Sequence, residues 1–180
     1  MLRRRVLMGV LFLLPIIASP EIEKVGQVCD KGICLAWWPK LDPAKGWHHD
    51  DRASWAVGAN VQVPDGFTFS NAETIIYAKA AYKPKIPETT SLDMLIENDK
   101  SDFLKHDPTV SITKVPPLKT QDGKELETYT FFPIGKGNWE EVSYGEEGDF
   151  YLIFTISSRS RAGFLSMLPL FEQYVARYKE

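Results

Sequence analysis

The segment at residues 150–157 constrains the fold of this chain more than any other stretch. Its large apolar side chains alternate, with Phe150, Leu152, Phe154 and Ile156 facing one way and Tyr151 and Ile153 the other. Successive side chains of a strand point to opposite faces of a sheet, so both faces of this strand would be apolar. Such a strand lies inside a sheet that other elements cover on both sides. The sequence therefore predicts a central strand in a layered domain.

A strong helical stripe follows this strand, at about residues 160–178. Its apolar residues are spaced by four, three, four and three positions: Phe164, Leu168, Phe171, Val175 and Tyr178. This spacing places them on one face of an α-helix, which we expect to pack on the sheet as core rather than to bind a partner. Pro169 lies within the stripe and predicts a kink, because proline removes a helical hydrogen bond.

The rest of the chain shows the patterns of short strands and one further helix. Strand patterns occur at residues 33–38, 57–63, 74–83, 110–115, 124–133 and 139–144, and a short helical turn at 52–55. Thr90-Ser91-Leu92-Asp93 has the form of a capping box that opens a helix, and Asp107-Pro108 ends it.

Turn signals between these segments are close together. Pro116 and Pro117 are expected in the connection between two strands, and residues 145–148 in a hairpin turn. Because the connections are short, the strands should be mostly antiparallel. No linker divides residues 19–180, so we predict one α+β domain with helices on an antiparallel sheet.

The first 18 residues have the pattern of a secretory signal peptide. Arg3, Arg4 and Arg5 precede an apolar run that continues to Ala18, and the arginines also loosely fit a twin-arginine signal. A run of about thirteen residues spans about 20 Å as a helix, which is short of the roughly 30 Å hydrocarbon core of a membrane. We therefore expect a leader at residues 1–18 rather than a permanent membrane span, and a periplasmic or secreted protein.

The charge balance argues against one class of function. The chain has 21 basic and 24 acidic residues, and three of the arginines lie in the expected leader, which leaves 18 basic and 24 acidic residues and a net charge of −6. An acidic domain is not expected to bind nucleic acid non-specifically or to adhere to anionic lipid.

Cys29 and Cys34 are the two cysteines of the chain. Asp30 and Gly32 between them favour a tight turn, and the flanking residues suit strands. In an oxidising compartment we expect a structural disulfide between them, worth about 2 kcal/mol because the closed loop is short. Their spacing differs from that of thioredoxin-like redox sites, and a zinc site would need two further ligands.

The order of elements in the C-terminal part resembles a known group. Asp122-Gly123-Lys124 leads into a strand with Tyr129, and the 139–144 strand, the central strand and the terminal helix follow. With the Val63-Pro64-Asp65-Gly66-Phe67 turn, residues 57–179 resemble the PsbP/Mog1/DcrB-like group. The resemblance implies an α/β/α layered sandwich around an antiparallel sheet of about six strands. Members of the group are mostly accessory or interaction proteins, and residues 29–51 depart from its pattern.

One polar cluster, at residues 47–51, is the candidate site of the sequence. Trp47, His48 and His49 offer apolar area with polar tips to a ligand or partner, and His48, His49 and Asp50 offer nitrogen and oxygen ligands to a divalent metal ion. In the alternative interpretation, Asp50 or Asp51 simply caps the helical turn that follows. His106 is the remaining histidine that could join a metal site.

The sequence contains no strong catalytic motif, neither a nucleophile elbow, a phosphate loop nor a zinc-binding helix pair. Glu140, Glu141, Glu146 and Glu147 are expected to be solvated charges around a hairpin. We therefore expect a non-catalytic accessory or interaction domain of the cell envelope, with no cofactor and with an envelope protein as a possible kind of partner. The alternatives are a small metal-dependent enzyme using the 47–51 loop, and a carrier of an apolar ligand between sheet and helix.

Overall fold

The computed structural model describes residues 22–30 and 32–180, so the expected leader at residues 1–18 lies outside the described residues. The strands are β1 (Ile22–Cys29), β2 (Gly32–Pro39), β3 (Trp47–His49), β4 (Asn60–Pro64), β5 (Thr74–Tyr82), β6 (Ser111–Lys119), β7 (Glu125–Phe132), β8 (Trp139–Glu147) and β9 (Phe150–Ser158). The helices are α1 (Asp51–Val57), α2 (Leu92–His106) and α3 (Arg161–Val175). No helix among these residues is long and apolar enough to cross a membrane.

Seven strands form one antiparallel sheet in the order β3-β4-β5-β9-β8-β7-β6. The predicted α+β class and the predicted central position of β9 are confirmed, and the sheet has seven strands rather than about six. One side of the sheet, here called the α3 face, buries Ile76, Phe154 and Ile156 with the residues of α3. The opposite side, the α2 face, packs Val142 and Tyr144 against α2.

The terminal stripe is core, as the spacing predicted. Phe164, Phe171 and Val175 of α3 are buried in the same cluster as the central strand. Tyr178 lies beyond the last helical residue and is also buried, with its ring 5.3 Å from that of Phe154. Pro169 lies inside α3.

The predicted helix is present, but α2 begins one residue later than the Thr90-Ser91-Leu92-Asp93 capping box predicts. Ser91 is the N-cap, and its hydroxyl accepts a hydrogen bond from the Met94 amide at 3.1 Å. The helix ends at His106, directly before Asp107. On the α2 face, Phe103 stacks on Phe131 with ring centres 4.0 Å apart, which fixes the helix over β7 and β8.

The prediction that Pro116 and Pro117 lie in a connection is wrong, because both are inside β6. β6 is an edge strand, and its pairing with β7 shifts register between Val115 and Leu118. Proline has no amide hydrogen to give to a sheet, so it is tolerated at an edge or a bulge.

The β8–β9 turn lies further along the chain than predicted. β8 continues through Gly145 to Glu147, and the turn is formed by Gly148, with φ +50°, and Asp149. Gly145 lies inside β8, where a Cβ would come 2.5 Å from Cδ2 of Leu126. The close approach of the Leu126 side chain, rather than a turn, therefore favours glycine at this position.

β1 and β2 form a separate hairpin, in which Cys29 pairs with Gly32. The predicted disulfide is present between Cys29 and Cys34. The base of the hairpin packs on the sheet, where Trp38 is buried and the ring of Trp37 stacks on Tyr82 at 5.2 Å. Such a disulfide is typical of proteins in an oxidising compartment.

Candidate functional site

Asp50 has the capping role that the sequence analysis held as its alternative to metal binding. Its Oδ1 accepts a hydrogen bond from the Ala53 amide at 3.0 Å, and its Oδ2 accepts one from the Phe69 amide at 3.0 Å. These backbone hydrogen bonds hold the pKa of Asp50 below its usual range. One carboxylate oxygen therefore binds α1 and the other binds the loop that carries Phe69, so Asp50 joins the two.

The two histidines of β3 point away from each other, as neighbours in a strand do. Nδ1 of His48 lies 3.4 Å from Oδ1 of Asp65, and both side chains are well exposed. His49 packs on the other side, with Nε2 2.7 Å from the Ser54 hydroxyl. Trp47 is buried in the core against the α3 face.

His106 is remote from these histidines. It ends α2, which packs on β7 and β8, whereas β3 is the opposite edge strand of the sheet. Four strand spacings separate β3 from β8, about 19 Å. Within residues 22–30 and 32–180, no group of three or more His, Cys, Asp and Glu side chains is arranged to hold a metal ion. Metal binding by His48, His49 and Asp50, and ligand binding by Trp47, stay predictions.

We expect the double substitution of His48 and His49 by Ala to lower the free energy of unfolding by about 1 kcal/mol, nearly all of it through the Ser54 hydrogen bond of His49. His48→Ala alone should change it by less than about 0.5 kcal/mol, because its contact with Asp65 is exposed to solvent. Urea denaturation of the single and double variants measures both values. A loss above about 3 kcal/mol would instead make the pair a major structural element.

A pocket of about 280 Å³ lies on the α2 face and is here called the central groove. It occupies the part of the sheet that α1 and α2 leave open, over β5, β9 and the start of β8. Its apolar lining residues are Val57, Ala59, Phe69 and Ile75. Its polar lining residues are Tyr77, Lys79, Asn138, Glu140 and Ser157.

The carboxyl group of Glu140 lies in an unusual environment in the central groove. Ser157 donates a hydrogen bond to its Oε1 at 2.6 Å, and Nδ2 of Asn138 donates one to the Ser157 hydroxyl at 3.0 Å. Burial raises the pKa of Glu140, and the hydrogen bond from Ser157 offsets part of that rise. The groove therefore holds an acid that is less readily ionised than a surface glutamate.

Three further acidic groups near Glu140 are also shifted. Burial raises the pKa of Tyr77, and the carboxylate of Glu140 adds to the rise. Burial likewise raises the pKa of Asp99, although Tyr144 donates a hydrogen bond to its Oδ2. The pKa of Tyr144 is raised by burial and by Asp99. Tyr77 and Glu140 line the central groove, whereas Asp99 and Tyr144 lie beside it, where α2 packs on β8. Shifted pKa values in a cleft make the groove the candidate site.

The central groove was not predicted from the sequence, because Glu140 and Glu141 were expected to be solvated charges. That expectation is wrong: Glu141 is 5% exposed on the α3 face, and Glu140 lines the central groove on the other face. A signal was present, since two consecutive charges in a strand beside the central strand must face two covered sides. Nothing local to the sequence shows that Tyr77, Asn138 and Ser157 meet there.

Comparisons of this chain with protein-family models and with curated proteins find no significant match. The resemblance to the PsbP/Mog1/DcrB-like group stays a prediction, and the candidate site is defined by its own geometry.

Proposed function

We propose that this chain is an exported, non-catalytic domain of the cell envelope that carries a small, partly apolar ligand in the central groove. The observation that carries the proposal is the groove itself, a pocket between the sheet, the end of α1 and the loop that carries Phe69, with apolar walls and a few convergent polar groups. Binding sites for small molecules combine these features. A volume of about 280 Å³ suits a ligand smaller than a typical drug.

The disulfide supports export, because such bonds persist in the periplasm or outside the cell. Helices on both faces of an antiparallel sheet are also what membership in the PsbP/Mog1/DcrB-like group implies. We therefore include a periplasmic or secreted location and that layered fold in the proposal. An envelope protein that receives or supplies the ligand would be the partner.

A titration with 2-phenylethanol, followed by amide chemical shifts in nuclear magnetic resonance, tests the proposal. We expect saturable shifts around the groove residues Ile75, Tyr77 and Ser157. Val57→Trp should weaken binding at least tenfold, because Val57 is 43% exposed at the mouth of the groove and an indole there would fill it.

The matched control is Leu165→Trp, which places the same side chain on α3 at a site that is 54% exposed and on the opposite side of the sheet. It should leave the titration unchanged. Absence of saturable shifts in the groove, or equal weakening by both variants, contradicts the proposed function.

A further inference from the structure

Among the residues that the structure describes, the hydrogen-bond partners of Glu140 are neutral. The hydroxyl of Ser157 and the amide of Asn138 are the donors associated with its carboxyl group. None of the ion pairs within residues 22–30 and 32–180 includes Glu140. An ionised carboxylate in this position therefore lacks a cation from the described part of the chain.

Two cations of this region interact elsewhere: Lys79, which lines the groove, and Arg159, which lines the adjoining pocket. Lys79 pairs with Ile153, and Glu140 pairs with Ser157, four residues further along β9. The backbones of Lys79 and Glu140 are therefore separated by about 13 Å along the strands and by two strand spacings across them. The charge of Lys79 acts on Asp99 of α2, where it lowers the pKa of that carboxyl group. Arg159 donates a hydrogen bond from its guanidinium to the Ser70 carbonyl.

The surroundings of Glu140 make a missing cation costly. Asp99 is a second acid on this side of the sheet and raises the pKa of Glu140, in addition to the larger effect of burial. A buried carboxylate without an opposite charge is unfavourable, and a cation that enters the groove would stabilise its ionised form. The groove thus favours a positively charged ligand group at this end.

The remaining walls suit an apolar body attached to that charge. Val57 and Ile75 supply aliphatic surface, and Phe69 and Tyr77 supply aromatic rings. Aromatic rings also attract organic cations through their faces. Lys79 also lines the groove, but at the end away from Glu140, because it pairs with Ile153 whereas Glu140 pairs with Ser157. The apolar walls with a carboxylate at one end match the chemistry of an amine with a short hydrocarbon or aromatic tail.

We propose that the ligand of the central groove is a small organic amine with an apolar body, and that Glu140 is the counter-ion of its ammonium group. This inference rests on the proposed function, since it names the class of ligand for the same groove. Ser157 and Asn138 act as positioning residues, because their hydrogen bonds hold the Glu140 carboxylate at the groove floor.

Three probes of nearly equal size test the inference at pH 7: 2-phenylethylamine, 2-phenylethanol and 3-phenylpropionate. We expect the amine to bind at least about tenfold more tightly than the alcohol, because hydrogen bonds to charged groups are stronger than neutral ones. The carboxylate probe should bind most weakly. Calorimetry gives the affinities, and amide chemical shifts show whether the probes occupy the groove.

Glu140→Gln should reduce the affinity for the amine to about that for the alcohol and leave the affinity for the alcohol within twofold. Glu141→Gln is the matched control, because it removes the same charge from the next residue on the opposite face of β8. It should leave all three affinities unchanged. Glu140→Asp retains the charge and should preserve the preference for the amine, which provides a second test if Glu140→Gln does not fold.

This experiment distinguishes failure of the amine inference from failure of the proposed ligand binding in the central groove. Equal binding of amine and alcohol, or equal loss of both in Glu140→Gln, overturns the amine inference and leaves the groove as a binding site. Amine binding that shifts residues outside the groove also overturns the inference. If no probe shifts the groove residues, both proposals are wrong.

Discussion

Phe171→Ala is expected to lower the free energy of unfolding by about 3–5 kcal/mol. The side chain is fully buried in the cluster that joins α3 to Phe154 and Ile156, so its removal leaves a cavity in the layer between helix and sheet. Loss of the transferred apolar area and of packing around the cavity both contribute. Urea denaturation followed by tryptophan fluorescence measures the effect.

Leu165→Ala is the matched control, because it also truncates a large side chain of α3 to alanine but does so at an exposed position. Leu165 lies on the same helix and is 54% exposed, so its substitution should change stability by less than about 0.5 kcal/mol. A cost below about 1 kcal/mol for Phe171→Ala would show that the stripe is a surface and not core, contrary to the packing described above.

Glu141→Gln is expected to stabilise the protein above pH 7 by about 3 kcal/mol. Glu141 is 5% exposed under α3, and burial, together with the nearby Glu172 carboxylate, raises its pKa from 4.5 to about 7. The folded protein therefore holds a proton that the unfolded chain has released between these pH values. The contribution of Glu141 to stability is complete below pH 4.5 and is lost as the pH rises to about 7.

The test compares the parent protein with Glu141→Gln in urea at pH 4 and pH 8. The difference between them should be small at pH 4 and large at pH 8, because the parent alone pays to ionise a buried carboxyl group. Both proteins share all the other titrating groups. The contributions of those groups therefore cancel when the free energies of unfolding of the two proteins are subtracted.

Glu172→Gln provides a second comparison on the same pair. It removes the neighbouring charge but not the burial, so it should stabilise the protein at pH 8 by a smaller amount than Glu141→Gln does. A constant difference across this pH range would mean that Glu141 is ionised without cost in the folded protein.

The leader that the sequence predicts at residues 1–18 has a direct test. Native mass determination of the protein recovered from the cells that produce it would show whether residues 1–18 are removed and whether a ligand stays bound.

Local sequence patterns alone determined the elements that are stabilised by contacts between residues close together in the chain. The hydroxyl of Ser91 caps α2 because it is one turn from the Met94 amide, and the spacing of Phe164 and Phe171 places both on one side of α3. The disulfide between Cys29 and Cys34 likewise depends on a tight turn within the same hairpin.

Tertiary structure alone decided the strand order and the candidate site. The central groove exists because α1 and α2 leave β5 and β9 open between them, a consequence of contacts between elements far apart in the chain. Glu140 and Glu141 are identical neighbours in sequence, and one lines a groove while the other lies under α3. Their protonation depends on what packs over each face, because burial and nearby charges set a pKa and the residue type sets only its starting value.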